Sequence, residues 1–169
     1  IILDLLFPRR CPVCGQIVMP KGALICGACM KKLSWVRGPV CKCCGKEIIS
    51  ETMEYCPDCA ARPRAFSHGM ALLNYNEISA PSLAMIKYHN RREYLDFYAE
   101  AAYRRYAGNI ARLSPGLIIP VPVHKSRLKK RGFNQAEEFG KRLSEHLKIP
   151  MSSEFLIRSK KTVPQKDLG

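Results

Sequence analysis

The sequence predicts a small metal-bound cysteine module followed by an α/β domain. Eight of the nine cysteines form four C-x-x-C pairs, and each pair begins fifteen residues after the one before it. Beyond them, residues 67–169 alternate short apolar runs with helical patterns, an order typical of α/β domains. A chain of 169 residues has room for these two parts.

The cysteine pairs predict two zinc sites. Two thiolates that flank a two-residue turn hold one side of a tetrahedral ion, so four pairs supply two complete sites. The alternative is a disulfide framework, which needs an oxidising compartment. The chain opens IILDLLFPRR, with its basic residues after the apolar run, whereas a secretory signal places them before it. We therefore predict a cytoplasmic protein with zinc-bound thiols and Cys43 as a bystander.

The pairing of the cysteines follows from a finer repeat. Glycine follows the second cysteine of the first and third pairs, at Gly15 and Gly45, but not that of the second and fourth pairs. Uniform spacing permits sequential and cross-braced arrangements, and this thirty-residue repeat favours the sequential one. The predicted ligands are Cys11, Cys14, Cys26 and Cys29 in one site, and Cys41, Cys44, Cys56 and Cys59 in the other. Sites closed by four cysteines have a structural role.

Charge and size assign different tasks to the two parts, residues 1–66 and 67–169. The formal charge is +14, and coordination of two divalent ions by eight thiolates would bring it nearer +10. Residues 1–66 hold ten cations against five acids and have too few large apolar groups for a core without metal. Residues 67–169 hold 18 cations against nine acids, which favours phosphorylated or polyanionic partners. No run approaches the ~20 apolar residues that cross a bilayer, so we predict no membrane insertion.

The elements of the second part are predicted in order. Residues 70–75 suit a strand, and a helical stretch follows from about Pro81 with a break near Asn90. The apolar run 117–123, which contains two prolines, fits a buried strand that runs into a loop. A last helix is predicted from about Phe133 to Leu147.

The loop between the last strand and the last helix, His124 to Gln135, is the candidate binding site. Open α/β sheets bind ligands where strands feed into helices. The loop carries five cations in seven residues and no acid: Lys125, Arg127, Lys129, Lys130 and Arg131. We expect Gly132 to open the helix, so that backbone N–H groups and cations meet a phosphate or pyrophosphate. A solvated charged face is the alternative, and Asn134 also fits a helix N-cap.

At these residues the chain resembles the ComF family, phosphoribosyltransferase-like proteins associated with bacterial competence for DNA uptake. The resemblance runs through the LDLLFP opening, the cysteine pairs, IKYHNRREYL, IPVPVHKSRLKKRGFNQA and LIRSKKTVPQKDLG, in that order. It covers essentially the whole chain. The stretch P-V-P-V-x-x-x-R-x-x-x-R-G-F-N-Q is the most specific part.

The resemblance implies a double zinc ribbon and a type I phosphoribosyltransferase fold. Residues 121–135 would bind the pyrophosphate side of phosphoribosyl pyrophosphate (PRPP), usually with Mg²⁺. Lys87 and Arg91 would form a second basic element, and residues 162–165 a flexible active-site loop. The implied phosphate-binding residues are His124, Lys125, Arg127, Arg131, Gly132, Asn134 and Lys87.

The sequence also departs from this pattern. Type I enzymes hold ribose 5-phosphate with an acidic-acidic-x-x-Thr-Thr-Gly-x-Thr segment, which the 169 residues do not contain. We expect a fragment that is truncated at both ends and inactive in phosphoribosyl transfer. A second hypothesis is a non-enzymatic protein that handles single-stranded DNA beside other competence proteins, although Phe133 is the only aromatic residue in the basic loop. A third gives the zinc ribbons a docking or purely structural role.

Overall fold

The computed structural model describes residues 7–62, 64–160 and 162, and the chain divides into two compact units after Leu83. Composition predicted a boundary at residue 66. Within the described residues the helices are α1 (Gly27–Lys32), α2 (Pro57–Ala61), α3 (Ser79–His89), α4 (Tyr94–Leu113), α5 (Lys125–Arg131) and α6 (Gln135–Leu147). None of these helices is long and apolar enough to cross a membrane.

The first unit contains two copies of one small motif at an offset of thirty residues. In the first copy, Arg10 pairs with Ile17 in an antiparallel bridge, and Val40 pairs with Glu47 in the second. The first copy continues to α1 and the second to α2, each helix starting directly after a cysteine. The hydrogen bonds repeat as well, since the amides of Gly15 and Gly45 each donate over 2.9 Å to the carbonyl of the cysteine four residues earlier. The repeat predicted from the sequence is therefore a structural repeat.

Residues 70–75 belong to this first unit, and the prediction of a regular strand in the second domain was wrong. Leu73 forms a single antiparallel bridge with Trp35. The amide of Val36 donates to the carbonyl of Leu72 over 3.2 Å, and the amide of Asn74 donates to the carbonyl of Ser34 over 2.8 Å. The apolar run pairs with the connection between the two ribbons because backbone N–H and C=O groups require hydrogen-bond partners.

The side chain of Asn74 joins the connection to the second ribbon. Its amide donates to the Ser34 hydroxyl over 3.2 Å and to the Glu47 carboxylate over 2.7 Å. The same carboxylate accepts the backbone N–H of Arg37 over 3.1 Å. The Asn74 amide and then the Arg37 N–H lower the pKa of Glu47, because both donors favour its ionised form.

The second unit is mostly helical in its described residues. Asn90, with a φ of 55°, separates α3 from α4, which confirms the predicted break. Helix α4 packs against α6. Arg142 of α6 holds the pair together, because its guanidinium donates to Asp96 over 2.6 Å and to Glu138 over 3.2 Å.

The predicted strand 117–123 is reduced to one parallel bridge, between Ile118 and Met151. Two prolines in this run lack the N–H that a longer ladder requires. Helix α6 approaches the bridge at Gly140, where an added Cβ would lie 2.9 Å from the Met151 sulfur. This is the only parallel pairing within the described residues, and the α/β class of the second unit stays a prediction.

The matched glycines Gly15 and Gly45 give a direct test of how the first unit packs. Both have a φ of +72°, so the left-handed backbone conformation costs alanine roughly 1–2 kcal/mol at either position. At Gly45 the new Cβ would also lie 2.6 Å from the carbonyl oxygen of Gly69, whereas at Gly15 nothing lies within 4 Å. We expect Gly45→Ala to lower the free energy of unfolding by at least ~1 kcal/mol more than Gly15→Ala.

The measurement is urea unfolding of the zinc-loaded protein, followed by the fluorescence of Trp35. This is the only tryptophan of the chain and it belongs to the first unit. Equal losses for the two variants would show that residues 69–71 do not pack on the second ribbon.

Candidate metal centres and phosphate site

The structure brings the eight predicted ligands together as two separate groups. One group holds the first and second cysteine pairs and the other holds the third and fourth, with the sulfur atoms of each group within 4.8 Å of one another. This is the sequential pairing that the repeat favoured.

The spacing of the sulfurs of Cys44 and Cys56 fits a shared zinc ion and excludes a disulfide between them. Cys44 Sγ and Cys56 Sγ lie 3.8 Å apart. Tetrahedral zinc, with Zn–S bonds of about 2.3 Å, places its sulfurs about 3.8 Å apart, whereas a disulfide bond is about 2.05 Å long. All nine cysteines are unbridged thiols. The two groups are therefore compatible with two structural zinc ions.

Each group contains one thiol whose surroundings favour the thiolate. Burial raises the pKa of Cys11, but backbone N–H groups, first that of Cys14, outweigh it and lower the value to about 7. The same balance at the repeat-equivalent Cys41, with Cys44 as the first donor, lowers its pKa to about 6. Because the turn after each of these cysteines points N–H groups at the sulfur, the loops are prepared for a metal-bound thiolate.

The remaining thiols show why a cation is needed. Burial and then contacts with neighbouring thiols raise the pKa of Cys29 to about 12, and the same causes raise that of Cys59 to about 12. Four sulfurs at this distance cannot all ionise by themselves, because thiolates in contact repel each other. A divalent ion at the centre of each group removes that repulsion.

The second group has two neighbours for which the first offers no equivalent in sequence. Cys43 is half-buried and packs against the core formed by Cys41, Ile48 and Cys56. Arg64 contacts the thiol of Cys59, which raises the pKa of this arginine. Thirty residues earlier the chain has valine and serine at the corresponding positions.

The predicted basic loop contains a short helix, α5. His124 is its N-cap, and its ring nitrogen Nδ1 accepts the amide of Ser126 over 3.2 Å. The run of cations therefore lies on a helix surface rather than on an irregular loop, where sequence reasoning placed it. The helix forms because lysine, arginine and leucine are all good helix formers.

Gly132 ends this helix and does not open the next one, so the sequence prediction for it was wrong. Its φ is 83°, and its amide donates to the carbonyl of Leu128 over 2.7 Å. The N–H expected for a phosphate is therefore already used. Asn134 was predicted to bind phosphate, with a helix N-cap as the alternative, and in the structure it is the N-cap of α6. Its side chain accepts the amide of Ala136 over 3.1 Å and donates to the carbonyl of Val121.

The cations of α5 have neutral rather than acidic neighbours. Arg127 donates to the carbonyl of Thr162 over 2.8 Å, and Arg131 donates to the side-chain oxygen of Gln135. The described part of the chain contains eight ion-pair contacts, and none of them involves residues 124–131. Lys125, Lys129 and Lys130 are exposed. The helix thus keeps its positive charge available.

Two aromatic contacts beside α5 were missed by the sequence analysis. The guanidinium carbon of Arg92 lies 4.3 Å from the centroid of the Phe133 ring, and that of Arg131 lies 5.7 Å from the centroid of Tyr88. The IKYHNRREYL stretch therefore does approach the basic helix, through Tyr88 and Arg92. Spacing could not show this, because the contacting residues lie about forty positions apart.

The other predicted site residues have less direct positions. Lys87 is half-buried on α3, next to Tyr88 in the chain. Arg91 pairs with Glu93 over 3.5 Å. Of the predicted flexible loop, Thr162 is described, and residues 163–165 lie outside the described residues.

Comparison with known proteins agrees with this arrangement. Residues 2–60 match the model of the "Double zinc ribbon domain". The chain is 29% identical to "Competence protein F" of Haemophilus influenzae over 96% of its own length and 71% of the relative's. It is 25% identical to "Competence protein ComFC" of Bacillus subtilis over 82% of its own length and 60% of the relative's. The chain is therefore similar to these competence proteins over most of its length.

The chain covers different shares of these two relatives. It spans less than two thirds of the Bacillus protein and somewhat more of the Haemophilus protein. No solved structure gives a significant match to it. The zinc ribbons are thus assigned by both the sequence match and the sulfur geometry, whereas the basic helix is described by its geometry alone.

Zinc stoichiometry tests the two metal centres independently. We expect the wild-type protein to hold two zinc ions, and Cys29→Ser and Cys59→Ser each to hold one, because each removes one of four ligands from a different group. Cys43→Ser is the matched control and should keep both ions. Plasma mass spectrometry of the purified proteins gives the zinc content, and loss of both ions on a single substitution would contradict two independent sites.

Proposed function

We propose that this protein belongs to the ComF family and that it binds PRPP, or a closely related pyrophosphate-bearing ligand, through residues 121–135 in the cytoplasm, as part of DNA uptake during competence. The observation that carries the proposal is the set of α5 cations without carboxylate partners in the described residues. The zinc ribbons have a structural role in this proposal, since four cysteines close each site.

The charge of α5 supports an anionic ligand. Elsewhere in the second unit several described acids pair with nearby cations, as Glu100 does with Arg104 and Asp96 with Arg142. On α5 the arginines instead donate to a carbonyl and to an amide oxygen. A pyrophosphate offers stronger, charge-assisted hydrogen bonds to the same guanidinium groups, and it replaces neutral acceptors without breaking an ion pair.

Arg131 is the residue best placed for this task. Burial lowers the pKa of Arg131, and repulsion from the nearby cation Arg127 lowers it further. The half-buried guanidinium therefore lies close to a second cation. Two cations held near each other favour a polyanion over a single carboxylate. Mg²⁺ would accompany PRPP and share the charge of its pyrophosphate.

The proposal for residues 1–169 is ligand binding rather than phosphoribosyl transfer. These residues lack the acidic segment with which type I enzymes hold ribose 5-phosphate. What residues 121–135 can supply is stabilisation of the charge on the pyrophosphate. Both similar proteins are named as competence proteins, which supports the link to competence.

Charge-matched variants test the binding site. We expect Arg127→Gln and Arg131→Gln each to weaken PRPP binding about tenfold or more, since a charge-assisted hydrogen bond contributes roughly 1.5–3 kcal/mol. Arg104→Gln removes the same charge from α4 and should leave the affinity unchanged. Isothermal titration calorimetry with PRPP and Mg²⁺ measures the dissociation constants of the three variants and of the wild-type protein.

Equal weakening by all three variants would show that only net charge matters. Absence of wild-type binding at millimolar PRPP would refute the proposal.

Single-stranded DNA is the second candidate ligand, and the exposed lysines of α5 favour it. Phe133 cannot serve as a stacking platform, because it is only 5% exposed. If DNA is the ligand, oligonucleotide affinity should fall steeply with salt and ignore PRPP. Fluorescence anisotropy checks this between about 50 and 200 mM salt, an interval over which affinity carried by several phosphate contacts falls steeply. Competition by PRPP would indicate a shared site.

A further inference from the structure

An exposed aromatic ring lies at the edge of the basic helix. Tyr88, in the last turn of α3, is 61% exposed. The guanidinium carbon of Arg131 lies 5.7 Å from the centre of this ring. An aromatic side chain normally hides much of its surface, so an exposed ring beside a cation offers a binding surface for another planar group.

The neighbouring pair Arg92 and Phe133 shows what a purely structural version of this contact looks like. Its ring is only 5% exposed and its guanidinium lies closer, at 4.3 Å. Arg92 is held by Asn90 over 2.7 Å. The ring of Phe133 is covered by the protein, whereas Tyr88 presents most of its surface to solvent.

The position of Arg131 connects the ring to the phosphate site. Its guanidinium donates to Gln135 at the start of α6, which fixes its direction. Arg127 lies one turn earlier on the same helix. A planar group on Tyr88 would therefore lie next to the cations that receive phosphate, and nucleotides combine such a ring with phosphates in one molecule.

We propose that Tyr88 is the residue that stacks against the base of a nucleotide whose phosphates bind on α5. The inference rests on the proposed function, because it requires α5 to bind phosphates. It goes further by assigning the ligand an aromatic base and by naming the residue that recognises it. Stacking accepts any base, since every base has a π face, so Tyr88 separates nucleotides from base-free phosphates rather than one base from another.

Adenosine diphosphate and inorganic pyrophosphate are the matched probes, because they share a diphosphate and differ by the nucleoside. In calorimetry with Mg²⁺, we expect the wild-type protein to bind the nucleotide about tenfold more tightly than pyrophosphate, as one stacked base provides. Tyr88→Ala should remove this difference and leave pyrophosphate binding unchanged. Tyr88→Phe should keep it, because the ring is retained.

The controls separate this inference from the function on which it rests. Tyr75→Ala removes another exposed tyrosine, one that belongs to the first unit, and should change neither affinity. Equal wild-type affinity for the two probes would overturn the role of Tyr88 while the phosphate site stands. If Tyr88→Ala weakens both probes equally, the ring acts by positioning Arg131 and the stacking role is wrong. If neither probe binds, the phosphate site itself is refuted.

Discussion

Mutual repulsion among clustered thiolates is the constraint on which the first unit depends. Four sulfurs within 4.8 Å of one another, twice over, form a core only when a cation compensates their charge. The apolar residues around them, such as Val18 and Ile48, are too few to fold the unit alone. Metal binding is therefore part of the folding free energy. The backbone turns that aim N–H groups at Cys11 and Cys41 already favour the thiolates that the metal requires.

The second unit separates its charges in a way that leaves one surface unsatisfied. Acids and bases are paired where α4 meets α6, with Arg142 between Asp96 and Glu138. On α5 the cations face a carbonyl, an amide and solvent. Besides its good helix formers, this helix is capped at both ends, by His124 at the start and Gly132 at the end. The local structure thus tolerates a charge that a ligand can use.

The sequence predicted features that have a fixed local period, and it missed those that depend on distant pairing. Cysteine spacing and the glycine alternation predicted the ribbons and the grouping of their ligands, and the sequence offered the N-cap at Asn134 as an alternative to its phosphate role. Residues 70–75 were assigned to the wrong unit because an apolar run carries no information about its partner. Gly132 was misplaced because glycine both ends and precedes helices. Tyr88 was not recognised, since its contact with Arg131 joins two elements that are remote in the chain.

The hydrogen bonds between residues 34–36 and 72–74 have a consequence for how this module is inherited. The match to the double zinc ribbon ends at residue 60, yet the connection between the ribbons is completed by backbone groups more than ten residues further along. Asn74 also links this connection to the second copy through Ser34 and Glu47. The matched domain and the compact unit therefore have different borders. A recombination event that carried only the cysteine pairs into another protein would leave the connection without its partner segment.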